Sequence, residues 1–213
     1  MSGTISEEEF LRDISEIAEN SDDSTRTEHR WTLVKHDHGV FCKNSSTIEY
    51  NNEAIVRHFH VTYSQSYGVP VLWFNFYRRD GSSLHLDDIV ATVRADFRSA
   101  IESDLIRSIS QNEHPYLGIM FYHIHPCRTH LVMRDIRSSN YVLSWLSIFG
   151  SPLRLSLPSK MFQHTRRSES ADIKNCLLIS SRIYTTLGTQ WMDQRGSDKC
   201  GQPNFPLTPF RHI

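Results

Sequence analysis

The sequence predicts an α+β fold, an antiparallel β-meander flanked by helices. Three observations carry that expectation. Residues 54–81 hold two runs dense in β-branched and aromatic residues, separated by a turn. The opening residues pair a capping signal with helical apolar spacing. The coarse order along the chain is then helix, meander, helix, strand, helix.

Taken in order, "SEEEFLRDISEIAEN" begins with a capping box, Ser6 three residues before Glu9. Phe10, Leu11, Ile14, Ile17 and Ala18 behind it form one apolar helical face. Residues 21–29 are polar and read as a loop. "RWTLVKHDHGVFCKNSS" reads as a hairpin turning at Asp37 to Gly39. "AIVRHFHVTYSQSYGVPVLWFNFYRRDG" gives two strands joined near Ser64 to Gly68 and closed at Asp80-Gly81, and Pro70 argues that the second begins at a sheet edge or carries a bulge there. Residues 84–109 follow as a helix, with Asp87 and Asp88 at its positive end and Ile89, Val93, Phe97, Ala100, Ile101 and Leu105 along one face. "QNEHPYLG" reads as a loop and "IMFYHIHP" as a short strand stopped by Pro126. "SSNYVLSWLSIFG" is a helix capped by Ser139 or Asn140 with Gly150 at its exit, and a proline-punctuated stretch follows. From Gln163 the pattern fades, apart from one possible strand in "CLLISSRIYTTLG". The expected division is a folded domain over residues 1–162 and a loosely ordered tail over 163–213.

Composition narrows the function classes. The 23 Lys+Arg and 24 Asp+Glu nearly cancel, so the basic excess of a nucleic-acid binder is missing. No apolar run reaches the roughly 18 residues of a membrane span. The acidic, amphipathic start does not read as a signal peptide. Cys42, Cys127, Cys176 and Cys200 form no CxxC, and reduced thiols in the cytosol or nucleus are expected.

The chemistry concentrates in "HPYLGIMFYHIHPCRTH", residues 114–130. Three readings of it compete. His123, His125, Cys127 and His130 offer imidazole and thiolate to zinc, but Pro126 interrupts the geometry and no second short-spaced ligand pair exists, so no metal is expected. An ordinary strand end with solvated or hydrogen-bonded histidines is the second. The third is a reactive Cys127, with Arg128 adjacent and His125 and His130 close by to favour thiolate. No Ser-His-Asp signature or phosphate-binding glycine loop competes with it.

"HPC" followed by "RT" resembles the active-site motif of the two E2-like conjugating enzymes of autophagy. "FHVTYSQSYGVPVLWF" (59–74), "DGSSLHLDDI" (80–89), "NEHPYLGIMFYHIHPCRT" (112–129) and "NYVLSWLSIFGSPLRLSLP" (140–158) are similar to the autophagy-related protein 10 family. "YVLSWLSIFG" favours that family over its sister, autophagy-related protein 3, whose long acidic insertion this chain lacks. A catalytically silent E2-like scaffold is the remaining alternative.

The resemblance covers residues 5–162 and implies an E2-core fold with a thioester at Cys127. The ubiquitin-like autophagy-related protein 12 would arrive from the E1-like autophagy-related protein 7 and pass to a lysine of autophagy-related protein 5. It implies no cofactor and a cytoplasmic setting. Ubiquitin E2 enzymes carry an HPN motif whose Asn precedes the cysteine; here the cysteine itself follows His-Pro. The oxyanion of each transfer then needs other donors. The candidates are backbone N–H groups after Cys127, the Thr129 hydroxyl, and Tyr63 or Tyr67, with His125 as further support. Trp73 or Phe74, on the expected edge strand, is the candidate partner-binding anchor.

Overall fold

In the computed structural model, residues 3–21, 29–93 and 108–162 are described. The first helix, α1 (Glu7–Ser21), starts where the capping box sets it. The Ser6 N–H donates to Glu9 Oε2 at 2.8 Å, and the Glu9 N–H donates back to Ser6 Oγ at 3.2 Å. Six strands follow: β1 (Trp31–His36), β2 (Gly39–Tyr50), β3 (Glu53–Ser64), β4 (Val69–Tyr77), β5 (Ile109–Glu113) and β6 (Met120–Ile124). They form one antiparallel sheet in the order β1-β2-β3-β4-β6-β5. The expected β-meander is therefore present, and β2 runs on to a two-residue turn at Asn51 and Asn52. Both of these have positive φ, at 50° and 61°, as a tight hairpin whose twist matches its strands requires.

A short α2 (Leu86–Ala91) follows β4 and buries Ile89, with Val93 buried just beyond it. Most of the helix expected over 84–109 lies outside the described residues, as do residues 22–28, the "CLLISSRIYTTLG" segment, Cys176, Cys200 and the whole of 163–213. At its end that expectation fails, because Ile109 to Glu113 form β5 and pair with β6. "QNE", which the sequence pattern reads as a loop, belongs to that strand. Its polar side chains instead occupy an edge strand whose outer faces are exposed, where apolar alternation is not demanded.

After β6 come a single 3₁₀ turn (Pro126–Arg128), α3 (Thr129–Met133), α4 (Tyr141–Phe149) and two more 3₁₀ turns, Ser151–Leu153 and Ser159–Phe162. Asn140 is the N-cap of α4: its Oδ1 accepts from the Leu143 N–H at 2.8 Å. The same amide donates to the Asp13 carbonyl at 3.1 Å and Glu16 Oε2 at 3.0 Å, and Asp13 Oδ2 accepts from the Val142 N–H. The start of α4 is thereby tied to the middle of α1. Burial pushes the Asp13 carboxyl up despite the hydrogen bonds it accepts from Arg12 and the Val142 N–H.

One face of the sheet packs against α1 and α4. Phe10, Ile14 and Ile17 meet Val142, Trp145 and Leu146 above Phe59, Val61, Leu72, Phe74 and Phe76, and this is the main core. Buried Arg57 closes one side, donating to the Leu153 and Arg154 carbonyls and to Ser46 Oγ. The opposite face carries Phe41, His60, Val71, Trp73, Phe121 and His123, onto which the β5–β6 turn folds His114 and Tyr116. His60 Nδ1 and His114 Nε2 are 3.2 Å apart in that layer. The Tyr116 N–H donates to His114 Nδ1, so His114 carries its proton on Nε2 and donates it to His60. Burial pulls both imidazoles down, to about 3 at His60 and about 4 at His114.

The edge expected at Pro70 holds for the start of the strand only. β4 lies inside the sheet, and Trp73 and Phe74 are both buried. Trp73 donates through Nε1 to Thr62 Oγ1 at 2.9 Å and stacks on His123, while Phe74 belongs to the main core. Neither ring is a surface anchor. Pro70 is tolerated because β6 meets β4 only at Trp73 and Phe74, so the first half of β4 has a ladder neighbour on one side only.

Candidate active site at the end of β6

The 3₁₀ turn carrying Cys127 follows directly on β6 and packs against β4. Three local features build that turn. His125 is still extended (φ −63°, ψ 129°) and acts as its N-cap. Pro126 takes the first helical position, where a missing N–H costs nothing and φ is already set. The Cys127 N–H donates to His125 Nδ1 at 3.3 Å, a bond that requires this imidazole to be neutral with its proton on Nε2. Pro126 is buried, Cys127 half-buried and Arg128 exposed, so the turn is anchored by its proline and leaves Cys127 partly accessible.

Tyr67, in the β3–β4 turn and 41% exposed, sets its ring edge-on to His125 with centroids 5.6 Å apart. Thr129 closes the turn, its N–H donating to the Pro126 carbonyl, and is itself buried at the start of α3. Tyr63 takes another role. Its hydroxyl donates to the Ile5 carbonyl at 2.8 Å, so its one proton is spent and it is not the donor the sequence suggested for an oxyanion.

The other histidines of the motif disperse. His123 is buried in the opposite layer beneath Trp73, and burial pulls its pKa down. His114 is engaged with His60, and His130 is half-buried on α3. Among the described residues no three His, Cys, Asp or Glu side chains are grouped to hold a metal ion. Of the two described cysteines, Cys42 lies in the main core and burial pushes its thiol up to about 12, which keeps it protonated. Sequence reasoning missed the His125 cap and the Tyr67 contact. The cap had a signal, since a side-chain acceptor just before Pro at the first helical position marks a helix start.

The antiparallel meander, the helices on one face and the His-Pro-Cys turn beyond β6 define an E2-like α+β protein. The chain belongs to the family described as autophagocytosis associated protein, active-site domain, whose profile matches residues 4–160. It is similar to the ubiquitin-like-conjugating enzyme ATG10 of Homo sapiens, with 36% identity over 126 residues, 55% of this chain and 57% of that protein. The protein of the same name from Arabidopsis thaliana is 37% identical over 125 residues, 52% of this chain and 54% of the relative. That of Dictyostelium discoideum is 32% identical over 127 residues, 52% and 55% of the two lengths. The chain thus spans a little over half the length of these curated relatives. Among the described residues no helix is long and apolar enough to cross a membrane.

Proposed function

We propose that the chain is an E2-like conjugating enzyme of autophagy whose Cys127 carries a ubiquitin-like modifier as a thioester. The carrying observation is the pair of cysteine environments. Cys127 sits half-exposed on a capped, proline-anchored turn, whereas Cys42 is sealed in the core with its thiol pushed up to about 12. Similarity to three proteins named ubiquitin-like-conjugating enzyme supports the same reading.

In the charging step, the Cys127 thiolate attacks the carbonyl of the modifier's thioester on an E1-like enzyme. The tetrahedral oxyanion collapses and expels the E1 thiolate. In the second step a lysine amine attacks the new thioester, loses a proton to solvent and expels the Cys127 thiolate. The modifier assigned here is autophagy-related protein 12, the donor autophagy-related protein 7 and the acceptor autophagy-related protein 5, acting in the cytoplasm. The His125 cap bears on this chemistry by holding the Cys127 backbone, which fixes the direction from which Sγ meets a carbonyl.

The test is a charging reaction with the E1-like enzyme, ATP and the modifier, resolved on a non-reducing gel. A band that disappears on adding a thiol reductant is expected for the native chain and absent from Cys127→Ala, and Cys127→Ser should give a reductant-resistant ester. A reductant-sensitive adduct persisting in Cys127→Ala would move the nucleophile elsewhere.

A further inference from the structure

Residues 3–5 are not part of the turn that holds Cys127, yet they touch both elements that frame it. Gly3 is buried with φ +70°, a region that favours glycine. A Cβ there would collide with the His130 carbonyl oxygen and lie 2.9 Å from the Arg134 amide nitrogen, so Gly3 rests directly on the backbone of α3. The Gly3 carbonyl accepts from the Tyr141 hydroxyl at 2.7 Å, which fastens this end to the first turn of α4. Two residues on, the Ile5 N–H donates to the Gly68 carbonyl at 2.9 Å, and its own carbonyl accepts from the Tyr63 hydroxyl at 2.8 Å. Gly68, with φ +62°, also lies against the Thr4 side chain.

These contacts connect to the site from two sides. α3 begins at Thr129, which closes the Cys127 turn, so its backbone is continuous with that turn. Gly68 ends the β3–β4 turn whose Tyr67 packs on His125, the cap of the Cys127 N–H.

We infer that residues 3–5 form a strap that positions Cys127, holding α3 and the β3–β4 turn at the separation that the His125-capped turn needs. The strap touches no reacting atom and acts through α3 and Tyr67, so Gly3 is a positioning residue. A side chain at position 3 would part the strap from α3 by on the order of an ångström, and a misplacement of that size can cost about a hundredfold in a positioned reaction.

This inference rests on Cys127 as the nucleophile, and its test separates the two. The first measurement needs no partner: the pH–rate profile for alkylation of Cys127 by iodoacetamide, followed on its own peptide by mass spectrometry. The second is the charging rate. Gly3→Ala is compared with Ile17→Val, a core change in the same helix-packed layer but away from the strap, at a temperature where both stay folded. Gly3→Ala should displace the alkylation profile and slow charging about tenfold or more, while Ile17→Val leaves both near native. Tyr141→Phe, which releases the Gly3 carbonyl without adding bulk, should shift both in the same direction by about threefold and decides the matter if Gly3→Ala does not fold. A folded Gly3→Ala, or failing that a folded Tyr141→Phe, with native alkylation and charging would overturn the strap. Persistence of the thioester in Cys127→Ala would instead remove the nucleophile assignment, while the alkylation profiles would still report on the strap.

Discussion

Acidification acts directly on the buried His60–His114 pair. Both imidazoles are nearly inaccessible to solvent, and burial holds them at about 3 and about 4, against 6.5 for an unperturbed histidine. His114 adds to the effect at His60, since two adjacent imidazolium ions would repel. Because the folded values are depressed, the unfolded chain takes up these protons first. The pair's contribution is therefore complete above pH 6.5 and is lost as the pH falls towards 4 and then 3. Within that window each neutral folded imidazole that is protonated on unfolding costs on the order of 1 kcal/mol per pH unit, or roughly 3 for the pair.

By pH 5 the loss from these two residues alone is on the order of 4 kcal/mol. That is a large share of the roughly 5–15 kcal/mol available to a folded domain. Urea melts between pH 7.5 and 5 measure it, with His60→Leu/His114→Leu as the reference. Replacing both partners removes the mutual hydrogen bond and leaves neither half of it stranded, so the double variant can still fold, although the Tyr116 N–H must then find water. Its absolute stability is not the readout. Its slope against pH should be shallower than that of the native chain by up to roughly 3 kcal/mol per unit. Parallel curves would refute the reasoning, since they would mean that the pair titrates alike in folded and unfolded chains.

Further expectations concern single contacts. His125→Ala removes the cap of the Cys127 turn and the Tyr67 ring contact; it should cost about 1 kcal/mol of stability in urea melts and slow charging on a gel time course, and His125→Asn, with a good capping side chain, should recover part of the rate. Asn140→Ala deletes a buried cap and the two donated bonds that join α4 to α1, so thermal or urea unfolding should show a loss of about 2–3 kcal/mol. A chain truncated after Gln163 should melt cooperatively and charge at a near-native rate, because the family match ends at residue 160; aggregation or non-cooperative melting would place Leu177, Leu178 and Ile179 in the core.

The elements whose cause lies within a few residues were legible in the sequence. Ser6 and Glu9 cap each other across one helical turn, Asp37 to Gly39 close the first hairpin, and Pro126 ends β6; Asn140 and Gly150 bracket α4. In each case the interaction that fixes the backbone is local, so residue type and spacing carry it. The His-Pro-Cys motif is likewise contiguous, and its resemblance to a conjugating-enzyme family rests on the chain's own letters. Strand neighbours are another matter. Whether β4 lies at an edge depends on β6, nearly fifty residues later, reaching Trp73 and Phe74, and on it stopping short of Pro70. Polar Ile109–Glu113 is a strand only because β6 offers it a ladder. The pairing of His60 with His114, the commitment of Tyr63 to Ile5 and the seating of Gly3 on α3 each join segments far apart in the sequence. Such pairings are selected by packing in three dimensions, where a hydrogen bond or a buried ring is rewarded only after distant chain segments have met, and no local pattern records them.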